Sequence, residues 1–258
     1  MVDNIPEIFF IMSNDRQLEV TEVIRIMEAG STEPVLCKCD DNALYVIKTT
    51  ASVPRKQLIH ELVASSLARC IGLPIPEFAV VYISEELIDY LPPDIKGKLS
   101  SGYAFASLFI PDSTPISFTD AHKAIDLFKQ KMIYLFDRVT NNSDRSLSEI
   151  DGNVNIIYDV KKQNYYLIDH NLAFDASCTL EQFEYHVYSP RHRTWSYDMI
   201  DVIWIEDIIK TLNDNCNEFL LSLPSEWIDE LPDKDHVIQN IIDILARGKN
   251  TLFRSSIT

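Results

Sequence analysis

The segment NNSDRSLSEIDGNVNIIYD, residues 141–159, is followed by YYLIDHNLAFD, residues 165–175. Together they gather Asp144, Asn153, Asn155 and Asp169 in a short stretch of chain. Asp169 closes an apolar, strand-like run, and the two asparagines open another, so pairing of the runs brings amide and carboxylate oxygens toward one place. Oxygen ligands of this kind suit Mg²⁺, which keeps several waters and is completed by the phosphates of a substrate. Asp144, in the loop upstream, is placed to orient or deprotonate a hydroxyl. Taken singly, each residue has a plainer reading: Asn141 and Asn142 as turn residues, Asp144 as a cap or Asx-turn residue.

A second set lies near the start of the chain. Lys48 ends an apolar strand, and Glu61 lies in the helix that follows. Protein kinases use such a lysine–glutamate pair to hold a lysine on nucleotide phosphates, beneath a loop of backbone N–H groups. Gly30-Ser31-Thr32 is the candidate for that loop, although the full G-x-G-x-x-G pattern is absent.

The elements that must hold these residues follow from periodicity and punctuation. IPEIFFIM suggests an early strand, and LEVTEVIRIMEAG alternates toward Gly30. EPVLCKCDD and ALYVIKT, rich in β-formers and divided by Asp40-Asp41-Asn42, predict a hairpin ending near Lys48. RKQLIHELVASSLARCIG predicts a helix with Leu58, Leu62 and Leu67 on one face, stopped by Gly72 and Pro74. Strands at FAVVYIS and GYAFASLFIP follow, and the loop with Asp112, Ser113 and Pro115 is the candidate hinge. Beyond it the pattern turns helical, with DAHKAIDLFKQKMIYLFDRV predicted as one buried helix capped by Asp120. NVNIIYD and QNYYLIDH form a hairpin among the helices, and WSYDMIDVIWIEDIIKTL, EWIDEL and DHVIQNIIDILARG supply further amphipathic helices. Asp137-Arg138 reads as structural charge pairing, and His170, which lacks clustered metal-type partners, as a structural histidine.

Composition sets outer bounds. The 258 residues suffice for one large domain or two small lobes, and 46% hydrophobic with 24% charged residues describes an ordinary globular chain. Lys and Arg total 23 against 39 Asp and Glu, a net charge of −16, which opposes broad contact with nucleic acid or anionic membranes. A phosphate ligand then needs local cations, backbone N–H groups or a metal. Five scattered cysteines, with no leader-like segment in the sequence, lead us to expect a reducing, cytoplasmic setting and packing roles for the thiols. No apolar run approaches the roughly 20 residues a membrane span needs.

These residues carry a family resemblance. The run from MEAGSTEPVLCKC through VIKTT, HELVASSL and GLPIPEFAVV resembles the N-lobe of HipA-like kinases, in the compact variety without the additional N-terminal subdomain. Downstream, NNSDR, NVN and LIDHNLAF resemble that family's N-x-D-R, N-P-N and I-D-H-G motifs, so the resemblance spans residues 26–187. It implies an α+β, bilobal protein-kinase-like fold, with a β-rich N-lobe at 1–111 and a mainly helical C-lobe at 112–258. ATP with Mg²⁺ is expected near Asp112, with Lys48 on the phosphates and Glu61 supporting it. Asp144 corresponds to the catalytic base, Asn153 and Asp169 to the metal ligands, and Asn155 to the second asparagine of the pair. Gly30, Ser31 and Thr32 fall on the phosphate loop, where related kinases are autophosphorylated on serine. The implied reaction is γ-phosphoryl transfer to Ser or Thr of a protein, with a possible antitoxin partner and a translation factor such as an aminoacyl-tRNA synthetase as a substrate class. Two other functions stay open: a small-molecule phosphotransferase, and a nucleotide-binding pseudokinase acting as an interaction module. Val154 and Asn171 depart from the motifs, and the interval from Asp144 to Asn153 is lengthened by SEID.

Overall fold

The computed structural model describes residues 17–27, 33–147 and 152–257; the early strand expected at IPEIFFIM and the Gly30-Ser31-Thr32 loop lie outside the described residues. Along the chain come β1 (Leu18–Ile26), β2 (Val35–Cys39), β3 (Leu44–Lys48), α1 (Arg55–Cys70), β4 (Phe78–Ile83), α2 (Glu85–Asp89), α3 (Pro93–Lys96), β5 (Gly102–Leu108) and β6 (Ser113–Pro115). Then follow α4 (Phe118–Ala124), α5 (Leu127–Thr140), β7 (Ser146–Leu147), β8 (Gly152–Asn153), β9 (Ile156–Asp159) and β10 (Asn164–Leu167). The chain ends in α6 (Asp201–Leu221), α7 (Ser225–Asp229), α8 (Lys234–Ala246) and α9 (Thr251–Ser255). Contacts divide it into two compact units, residues 1–52 with 78–108, and residues 53–77 with 109–258. The linear division at 111/112 thus meets a structure in which the segment bearing α1 groups with the second unit.

In the first unit the strands close into a barrel in the order β1-β2-β3-β5-β4, with β1 parallel to β4 through Leu18↔Val81 and Glu19↔Tyr82. The β2–β3 hairpin forms as the sequence suggests, because Asn42 takes a left-handed φ of 68° and Asp41 Oδ1 accepts the Ala43 N–H at 2.9 Å. Alternation sends Val35, Cys37, Cys39 and Ile47 into one core with Val81, Ile83, Ala104 and Ala106. Cys37 and Cys39 are packing residues there, and burial pushes both thiols up to about 12.

The second unit departs from expectation in three ways. Helix α1 buries every residue from Leu58 to Ala68 rather than a single stripe, so its polar members His60, Glu61, Ser65 and Ser66 sit inside. The helix predicted over 120–139 is two helices: Ser117, not Asp120, caps α4, and Asp126 caps α5 by accepting the Lys129 N–H at 3.0 Å. The loop at 113–115 adds β6 to the predicted β9–β10 hairpin, giving the order β10-β9-β6. The later helices follow their patterns, α6 burying Ile205, Ile209, Leu212, Cys216 and Phe219 at helical steps. No helix among the described residues is long and apolar enough to cross a membrane.

His60 makes a measurable contribution to this unit. It stands edge-on to Phe174 with ring centroids 5.5 Å apart, and burial, reinforced by Lys56, pushes its pKa down to about 4. The unfolded imidazole titrates near about 6.5, so the unfolded chain binds more protons. His60's contribution is therefore complete above about 6.5 and is lost as pH falls toward the folded value. Between pH 7 and pH 5 this one group should remove about 2 kcal/mol of stability. Urea midpoints at the two pH values should lie closer together in His60→Leu than in the wild type, and identical pH dependence would count against the assignment.

Candidate active site

The helical unit organises its polar residues around the end of α5. That helix stops at Asn141, which takes a left-handed φ of 53° while its N–H donates to the Asp137 carbonyl. Asn141 and Asn142 thus do the turn duty their sequence suggests. Asn142 Nδ2 also donates to Asp137 Oδ1 at 3.0 Å. The loop residues Asp144 and Arg145 follow directly.

Arg145 is the hub. Its side chain is 0% exposed, and Nε donates to Asp137 Oδ2 at 2.8 Å. Nη1 donates to the carbonyls of Asn155 at 2.6 Å and Val154 at 3.3 Å, and Nη2 lies 3.3 Å from His170 Nε2. The Tyr188 N–H donates to His186 Nδ1, which leaves the ring proton on Nε2 to be donated to Asp137 Oδ2 at 2.9 Å. Burial alone would push the Asp137 carboxyl up; Arg145 and His186 outweigh it and hold the carboxyl below its ordinary value. Burial lowers the pKa of His186 against the pull of Asp137. Asp137 is a structural charge partner, of Arg145, while Arg138 bonds to Tyr134 and Ser256.

The lengthened interval closes as a hairpin. Ser146 pairs with Asn153 and Leu147 with Gly152; the extra residues, 148–151, lie outside the described residues. Asn155 then reaches Asp144, its Nδ2 donating to Asp144 Oδ2 at 2.8 Å and more weakly to the Asp144 carbonyl at 3.4 Å. Asn155 is 1% exposed, and its Oδ1 is buried without a hydrogen-bond partner. A buried amide oxygen left bare is costly, and a hard cation is a partner suited to it. The donor set therefore fits Mg²⁺. Asn153 is exposed, and its Oδ1 accepts the Asn155 N–H at 3.0 Å.

Asp169 is joined to the same place through the sheet. Leu167 pairs with Ile156, and the Ile168 N–H donates to the Asn155 carbonyl at 3.0 Å. Asp169 itself turns the chain at a left-handed φ of 61°. The next N–H, of His170, donates at 2.9 Å to Glu61 Oε1, and Glu61 is 2% exposed on α1. Glu61 thus ties α1 to the turn bearing Asp169. An open hollow of about 380 Å³ beside Asp144 is lined by Asp175, Leu172, Gln182 and Tyr185. Asp112 stands at the surface in an ion pair with Lys161 at 2.5 Å. In the barrel unit, Lys48 ends β3 opposite Phe105 and is 8% exposed.

The sequence singles out the four residues of the 144–169 stretch and assigns Asp137 to structural charge pairing, but leaves Arg145 and His186 without a role. Only the D-R adjacency in NNSDR signalled Arg145; nothing local signalled His186.

Among solved structures, the chain is similar to a Helicobacter pylori proinflammatory kinase, CtkA, at 10% identity and a TM-score of 0.50, over 93% of this chain and 96% of that one. It is also similar to the golgi casein kinase, at 13% identity and a TM-score of 0.50, over 92% of this chain and 73% of that one. At these identities the likeness is one of fold. No curated protein sequence matches significantly. The sequence pattern of the HipA-like kinases matches residues 20–257, and the chain therefore belongs to that kinase family.

Proposed function

We propose that the chain transfers the γ-phosphoryl group of ATP to a serine or threonine hydroxyl of a protein, its barrel and helical units acting as the two lobes of a kinase. The observation that carries this reading is Asn155, whose amide holds Asp144 at 2.8 Å while its buried Oδ1 has no protein partner. Asp144 accepts and orients the acceptor hydroxyl, and the hollow beside it gives the acceptor side chain room. Asn155 Oδ1 and the Asp169 carboxylate would hold Mg²⁺, which would offset charge on the phosphate oxygens. Lys48 supplies a further cation for the phosphates, and Glu61 keeps α1 and the Asp169 turn in register. Ser31, in the Gly30-Ser31-Thr32 loop, is the site of autophosphorylation.

Family membership extends the reading to a toxin held by an antitoxin and acting on a translation factor; this part rests on analogy alone. The test is incubation with γ-labelled ATP, Mg²⁺ and whole lysate. A labelled protein band supports the protein kinase, whereas label confined to a small metabolite, or no transfer, would overturn it. In the same assay Asn155→Ala should cut transfer by about a hundredfold, and Asn153→Ala by no more than about fivefold. The reverse ranking would restore Asn153 as the metal ligand.

A further inference from the structure

A second hollow, of about 240 Å³, lies in the helical unit and shares no lining residue with the one at Asp144. Two arginines face it: Arg138 from α5, 4% exposed, and Arg247, just past α8. Arg138 donates to Tyr134 Oη at 3.1 Å, to the Ser256 carbonyl at 3.1 Å and to Ser256 Oγ at 3.0 Å. Arg247 donates to the Ile244 carbonyl at 3.1 Å and to Asn141 Oδ1 at 2.6 Å. Both guanidinium groups also lie near the Phe253 ring, at 5.9 and 4.9 Å from its centroid.

Every one of these partners is neutral. Among the described residues no carboxylate is in ion-pair contact with either arginine. The nearby Asp175 accepts the Ser177 N–H and hydroxyl at its Oδ1. Cys178 lines the hollow too, but burial pushes its thiol up, so it supplies no thiolate. Burial lowers the pKa of Arg247, and Arg138 adds to the effect by repulsion. Carboxylates outnumber cations 39 to 23 in this chain, yet the buried Arg138 and the half-buried Arg247 share one ring with no counter-charge among the described residues. Rings and carbonyl dipoles soften that cost without cancelling it.

We infer that this hollow binds a tetrahedral oxyanion of the phosphate-monoester class, held by Arg138 and Arg247, with Thr179 also lining it. Guanidinium forks match phosphate oxygens, and a dianion balances two cations where a carboxylate balances one. The hollow is concave and the chain around it acidic, which disfavours an extended polyanion. The group arrives either as free phosphate or on a phosphorylated side chain.

Both sources are tested on the full chain in EDTA, titrated with inorganic phosphate and with a phosphoserine peptide. Binding is read by calorimetry and by the arginine Nε–H resonances. Saturable binding that shifts two arginine resonances is expected, weakened about tenfold or more in Arg247→Gln. Tighter binding of the peptide identifies a phosphorylated protein as the source, and tighter binding of phosphate identifies the free ion. No saturable binding, equal shifts from chloride at matched ionic strength, or unchanged affinity in folded Arg247→Gln would each overturn the inference. Should Arg247→Gln fail to fold, the wild-type resonances decide: arginine signals unmoved by phosphate reject the site.

Discussion

Asp169→Ala should lower phosphoryl transfer by about a thousandfold or more while leaving the fold in place. The carboxylate is half-buried at the turn after β10, so its loss opens no cavity in the core. What it removes is the one anionic ligand of the proposed Mg²⁺ site, which would leave the neutral Asn155 Oδ1 as the remaining proposed ligand. Alanine carries a secondary cost, because residue 169 has a φ of 61°, a conformation alanine adopts at a penalty of roughly 1 kcal/mol. Asp169→Asn separates the two effects, since asparagine tolerates that conformation and differs mainly in charge. Both variants should be nearly inactive, with Asp169→Asn melting closer to the wild type. Initial rates with labelled ATP and circular dichroism of each protein decide the matter, and a folded Asp169→Ala that turns over normally rejects the site.

Much of this architecture was legible locally, and the failures have local causes as well. The barrel strands announced themselves because alternation at Val35, Cys37 and Cys39 and the turn residues at 40–42 are signals within one hairpin. The break between α4 and α5 was missed although Asp126 carries a cap signal, because the apolar spacing of Ala121, Ile125 and Met132 runs on across it. Asp144, Asn155 and Asp169 were recognisable by type and motif. Which asparagine reaches Asp144 was not, since it depends on the pairing of Ser146 with Asn153 and of Leu147 with Gly152. The Asp137–His186 bond joins residues 49 positions apart, and no periodicity encodes such a pairing. Likewise Glu61 meets the His170 N–H across 109 positions, a contact that only the packed helix α1 creates.

Arg145→Ala should destabilise the helical unit by about 3–5 kcal/mol, the largest effect on stability expected of any substitution considered. The reason is what it leaves behind rather than what the ion pair contributes. Arg145 and Asp137 are both 0% exposed, and without the guanidinium Asp137 keeps a buried charge answered only by His186 and Asn142. The carbonyls of Val154 and Asn155 lose their donor as well, so the segment between β8 and β9 that carries Asn155 toward Asp144 loses its anchor. Removing both charges should cost less than the two single losses added, because a neutral residue 137 needs no counter-ion; a double-mutant cycle with Asp137→Ala measures this. Acid stability gives an independent reading. The folded Asp137 carboxyl is held below its ordinary value, so its stabilisation is complete above about 4 and lost as pH falls through the folded pKa. In Arg145→Ala burial prevails, the carboxyl shifts upward, and the acid transition should move to higher pH. Urea midpoints across pH 3–7 test both statements. An Arg145→Ala protein within about 1 kcal/mol of wild type, with its acid transition unmoved, would show that this buried network does not hold the site together.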